Sequence, residues 1–112
     1  MRRDELYLRD ILEAAGYIAA DIAGMERQDF LGNRTVRDAV VRNLIVIGEA
    51  CAKVSDPLRA RHPEIPWADV VAFRNILVHA YFGIDWDIVW YAVSHQVPSL
   101  AGRVASILET GF

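Results

Sequence analysis

Apolar residues recur at three-and-four spacing along most of the chain, and no stretch alternates with the period of two that a strand would show. Leu8, Ile11, Leu12, Ala15, Ile18, Ala19 and Ile22 form one stripe, with Arg9, Asp10, Glu13 and Asp21 opposite or beside it, which predicts a first amphipathic helix stopping near Gly24. Glu26 to Asn33 reads as an irregular or half-helical connector, and Asn33 or Thr35 offers a cap for the next helix. From Val36, the stripe Val40, Leu44, Ile47, Cys51 and Val54 is widened by Val41, Ile45, Val46 and Ala52, which places this second helix at the centre. Ser55-Asp56-Pro57 ends it, Leu58 to His62 makes a turn, and Pro66 suits the first turn of a third helix. That helix runs from about Trp67 to Tyr81 and closes at Gly83. Asp85 caps a fourth, whose stripe Trp86, Val89, Trp90, Val93, Val97, Leu100, Val104, Ile107 and Leu108 continues across Pro98 and predicts a kink there.

The pattern predicts an all-α protein: an up-and-down four-helix bundle with short extra turns, folded as one domain over residues 1–112. With 54% hydrophobic and 24% charged residues the chain is not a disordered one, and its apolar surplus points to pairing with a second copy. Cys51 is the single cysteine, which fits a reducing, cytoplasmic setting without an intrachain disulfide. The charged N-terminus from Met1 to Glu5 leads into amphipathic sequence, and no apolar run has the length of a membrane span. Three histidines and one cysteine lack the spacing of a zinc site, and no glycine-rich phosphate loop occurs, so neither metal nor cofactor is expected.

One segment departs from this plain amphipathic pattern. Arg74-Asn75-Ile76-Leu77-Val78-His79-Ala80-Tyr81 places a guanidinium, an amide, an imidazole and a phenol in a helix that is otherwise apolar. Arg74 falls on the apolar stripe of Trp67, Val70, Val71, Leu77 and Val78, where it needs either a carboxylate such as Glu49 or a phosphate brought to it. At about 100° per residue, Asn75 and His79 lie within about 40° of each other, and Arg74 is about 140° from His79. Either the long arginine side chain reaches round the helix, or a two-fold axis brings a second copy of the helix to the same cleft and unites them. His79 has the residue chemistry to take a proton from a ribose 2′-hydroxyl or to return one to a leaving oxygen, and Arg74 to stabilise charge on phosphorus-bound oxygens.

The run Arg74-x4-His79-Ala80-Tyr81 and its surroundings, RNILVHAYFGIDWDIVW, resemble the HepT-like proteins of the HEPN type, as do the helix with Gly48-Glu49-Ala50 and the connector ending Pro66-Trp67. The resemblance implies a homodimeric, metal-independent endoribonuclease with Arg74 and His79 as the catalytic pair and Asn75 as a polar helper. It implies the toxin of a toxin–antitoxin pair, of a type II/VII-like kind, acting on transfer or messenger RNA. Its partner would be a minimal nucleotidyltransferase antitoxin that transfers AMP onto Tyr81. A nucleotide on that phenol would add bulk and negative charge to an anion-binding cleft.

The other polar residues have plainer readings. Tyr81 without that context is a half-buried tyrosine at a helix end, His62 a loop residue, and His95 a structural or exposed one. Glu49 reads as a structural ion-pair partner before a catalytic group, and Trp67, Trp86 and Trp90 as core. The net charge of −3 gives no general attraction for RNA, although eleven of the twelve basic residues are arginines, with Lys53 the exception. The alternative function is therefore a non-catalytic helical module that binds a nucleotide or scaffolds a nucleotidyltransferase.

Overall fold

A computed structural model describes residues 2–112; Met1, the first residue of the charged N-terminus and of the expected domain, lies outside them. The described residues form helices α1 (Arg2–Ile22), α2 (Arg27–Leu31), α3 (Arg34–Lys53), α4 (Asp56–Arg61) and α5 (Trp67–His79). A 3-10 turn (Tyr81–Gly83), α6 (Trp86–Tyr91), a π-helical turn (Ala92–Gln96) and α7 (Val97–Thr110) complete the chain. The expected four long helices are α1, α3, α5 and the unit α6–π–α7, and the short extra turns are α2, α4 and the 3-10 turn.

The stripes decide the packing. Leu8, Ile11 and Ile18 of α1 are fully buried against Val40, Ile47 and Cys51 of α3, and Val93, Val104 and Ile107 close the core from the last unit. Each such aliphatic side chain removed from water contributes on the order of 1.5–3 kcal/mol. Helix α3 is central as expected: α1 packs along one side of it and α5 along another, while α1 also meets α7. Phe30 of α2 is fully buried beside Trp86 and Trp90, with ring centroids 6.4 and 5.2 Å away, and these tryptophans, partly buried, pack against the core.

Caps fix the helix ends. Asn33 Oδ1 accepts from Val36 N at 3.1 Å, Ser55 Oγ from Leu58 N at 3.4 Å, and Asp85 Oδ1 from Asp87 N at 3.0 Å. Asp4, the one charged residue in the buried set, accepts from Ser55 N at 2.9 Å and Oγ at 2.6 Å and so ties α1 to the start of α4. Arg59 donates to the carbonyls of Cys51, Ala52 and Val54 and satisfies the open C-terminal end of α3. Burial pushes the Cys51 thiol up to about 12, an effect that the charge of Arg59 partly offsets.

The 26–33 connector is half-helical as expected, and Asp29 Oδ2, which accepts from Glu26 N at 2.9 Å, stabilises the start of its turn. Several other local expectations change. Pro66 precedes α5 as its N-cap instead of entering its first turn. The third helix stops at His79, not Tyr81, and tightens into the 3-10 turn. At Pro98 the helix continues, and the accommodation lies just ahead of it: Val97 N donates to Ala92 O, widening one turn to π spacing before the residue that has no N–H. Val78, expected on the core stripe, is 46% exposed.

Candidate functional site

Helix α5 crosses α3 at Gly48, and this crossing positions Arg74. A Cβ built on Gly48 would lie 2.2 Å from Arg74 Cβ and 2.7 Å from its Cγ, closer than side-chain atoms can pack. Glycine is therefore the residue that lets the stem of Arg74 lie against the α3 backbone. Arg74 Nε is buried there and has no hydrogen-bond partner, a condition shared by Arg37 Nε and His62 Nε2 elsewhere in the fold. Among the described residues Arg74 makes no ion pair, so the expected alternative of a structural bridge to Glu49 is not formed, and Glu49 is exposed. A buried donor without an acceptor costs free energy that an incoming anion would recover.

Asn75 and His79 are exposed on the side of α5 away from α3, and His79 is its last residue. The wheel arithmetic therefore holds: a single chain groups Asn75 with His79 and directs Arg74 elsewhere. Tyr81 stands on the 3-10 turn, 51% exposed, with its hydroxyl 3.5 Å from Asp38 Oδ1. It borders a groove of about 470 Å³ between α3 and the end of α5, whose polar residues are Asp38, Arg42, Glu49 and Tyr81. Sequence reasoning did not single out Asp38 and Arg42. Their signal was the spacing 38, 42, 49, which places three charged residues on one face of α3.

Helix α5 is apolar around most of its girth, yet its main helical neighbour is α3. Ile76 and Val78 are consequently 58% and 46% exposed, and nearby Phe82, Ile88 and Tyr91 are exposed as well. Ala68, Ala72, Asn75 and His79 recur at four-three-four spacing on the same outward face. Elsewhere, His62 is half-buried, not a freely solvated loop residue, and Trp67 Nε1 donates to its carbonyl at 3.0 Å. His95 stacks on Tyr91 at 4.8 Å and meets Ser94 Oγ at 2.9 Å, a structural arrangement. Among the described residues no group of three or more His, Cys, Asp and Glu side chains is placed to hold a metal ion, and no helix is long and apolar enough to cross a membrane.

This helical architecture, with its Arg-x4-His-x-Tyr helix end, coincides with a defined family: the model of the ribonuclease HepT-like family matches residues 7–107. The chain belongs to that family. It is 39% identical over 97 residues to a protein of Thermococcus cleftensis named as a probable ribonuclease HepT, covering 87% of this chain and 88% of that one. It is 38% identical over 104 residues to a Methanocaldococcus jannaschii protein named as a candidate RNase, covering 92% and 95%. A similarly named protein of Caldanaerobacter subterraneus is 30% identical over 109 residues, 97% of each chain. No solved structure matches the chain.

Proposed function

We propose that this protein is a metal-independent endoribonuclease whose site is completed by a second copy of the chain. The observation that carries the reading is Arg74, held against Gly48 with a buried, unpartnered Nε beside the helix end that presents His79. Family membership and the relatives' names support RNA as the substrate. The exposed Asn75–His79 face and its small, regularly spaced Ala68 and Ala72 suit close packing of α5 on its symmetry mate, which would bring one chain's Arg74 towards the other's His79. Ile76 would be covered in the same step.

In such a cleft a ribose 2′-hydroxyl attacks the adjacent phosphorus as His79 removes its proton. Arg74 holds the non-bridging oxygens, where negative charge accumulates, and the 5′-oxygen leaves with the proton that the His79 imidazolium returns to it. The products are a 2′,3′-cyclic phosphate and a 5′-hydroxyl. Asn75 orients the phosphate or the imidazole. In the cell the protein acts as the toxin of a toxin–antitoxin pair, and a partner nucleotidyltransferase silences it by adding AMP to the half-exposed Tyr81.

The trans arrangement has a direct test. Neither Arg74→Ala nor His79→Ala should cleave alone, but mixed subunits should regain about a quarter of wild-type activity, since half the dimers are mixed and one of their two clefts is intact. Absence of recovery in confirmed mixed dimers would refute the shared cleft.

A further inference from the structure

The groove between α3 and the end of α5 is built for more than closing the fold. Its floor is apolar, from Val41, Ile45 and Leu77 with Val46 and Val78 at its lips, and its rim carries Asp38, Arg42 and Glu49 on α3, with the Tyr81 ring at the Asp38 end. Arg42 and Glu49 are seven residues apart, on one helix face and about 10.5 Å along the axis. That separation approximates the span from a nucleotide's phosphate to the Watson–Crick edge of its base. Both residues are exposed, and neither makes an ion pair among the described residues. The volume, about 470 Å³, falls within the range of about 300–1,000 Å³ usual for small-ligand sites.

The groove also adjoins the proposed chemistry. Around α5, Val78 on the groove lip is followed by Asn75 and then His79, at steps of about 60° and 40°. A strand leaving the groove over Val78 would reach the Asn75–His79 face without crossing the helix core.

We infer that this groove is a base-reading subsite for guanosine next to the cleaved phosphate, with Arg42 on the nucleotide's phosphate and Glu49 on its base. The inference rests on the ribonuclease reading above. Its specificity follows from the chemistry of the rim. A carboxylate has two acceptors and no donor, so it pairs with two adjacent donors. Guanine offers N1–H and the N2 amino group side by side. Adenine and cytosine set a ring-nitrogen acceptor beside the amino group, which the carboxylate repels, and uracil offers a single N–H between two carbonyls. The valine side chains of the groove supply apolar contact that any base accepts.

The test measures binding of fluorescent 2′-O-methyl oligouridines, which cannot undergo attack by the 2′-oxygen, carrying one guanosine, inosine, adenosine or no substitution. Wild type should bind the guanosine oligomer about tenfold more tightly than the inosine one, which lacks the N2 amino group. Glu49→Gln should equalise the two, and Arg42→Ala should weaken all four alike and lower the slope of log affinity against log salt by about one. The inosine comparison uses wild-type protein, so it does not depend on a variant folding. Equal binding of guanosine and inosine oligomers by wild type, or a preference that survives Glu49→Gln, overturns the inference. If wild type cleaves unmodified RNA while showing no base preference, only the subsite falls. If it neither binds nor cleaves RNA, the ribonuclease reading falls with it.

Discussion

Replacing Gly48 with alanine adds one methyl group where α3 and α5 touch, and its effect can be worked out from the structure. The new Cβ would meet Arg74 Cβ at 2.2 Å and Cγ at 2.7 Å. Ordinary carbon contacts begin near 3.5 Å, so the helices must separate by roughly 1 Å or more at the crossing. The clashing atom is attached to the α5 backbone, so no rotamer change relieves it. Overpacking of this kind costs about 1–3 kcal/mol, against which alanine recovers about 1 kcal/mol of helix propensity. A net loss of up to about 2 kcal/mol corresponds to a fall in Tm of up to roughly 10 °C for a domain of this size. The displaced guanidinium should lower cleavage by at least tenfold, beyond what the stability loss explains. Gly102→Ala is the control: it lies within α7 with nothing inside 4 Å of a built Cβ, and should raise stability by about 0.5–1 kcal/mol. Thermal melting and cleavage rates measured on both variants decide the matter. A Gly48→Ala protein as stable and active as wild type would refute the close crossing and its role in placing Arg74.

Other expectations follow from single residues. Asp4→Ala removes two hydrogen bonds to Ser55 and should cost about 1.5–3 kcal/mol by denaturant unfolding, with little change in cleavage per folded molecule. His79→Ala should abolish cleavage yet leave Tm within about 2–4 °C, because the side chain is exposed; a large melting shift would reveal a structural role instead. The Cys51 thiol rises from 9.0 unfolded to about 12 folded, so its contribution is fully present below pH 9 and is lost as pH climbs towards 12. Wild type should therefore lose stability across that alkaline window more steeply than Cys51→Ala, measured by urea midpoints at each pH.

The helices were legible because their stripes face a core: Val40, Leu44, Ile47, Cys51 and Val54 are all buried, as their spacing required. Boundaries were less legible where tertiary contacts decide them. Asp4 anchors Ser55 from 51 residues away, which no local pattern reveals, and the π turn just before Pro98 is a local widening that the apolar stripe does not show. At the candidate site the same division holds. The sequence singled out Arg74, Asn75, His79 and Tyr81 as candidates and showed the angular gap between Arg74 and His79. It did not reveal that Gly48 seats Arg74, since that depends on where two helices cross. Nor did it single out Arg42 and Asp38, whose significance appears once α3 and Tyr81 share a groove.

The central claim, cleavage of RNA by Arg74 and His79, is tested most directly by incubating purified, partner-free protein with end-labelled transfer RNA in excess chelator. Wild type, Arg74→Ala and His79→Ala should be compared, with Tyr81 shown bare by intact mass. The account predicts fragments ending in 2′,3′-cyclic phosphate for wild type and none for either variant. Undiminished cleavage by both variants, or no cleavage of any RNA by unmodified wild type, would contradict it.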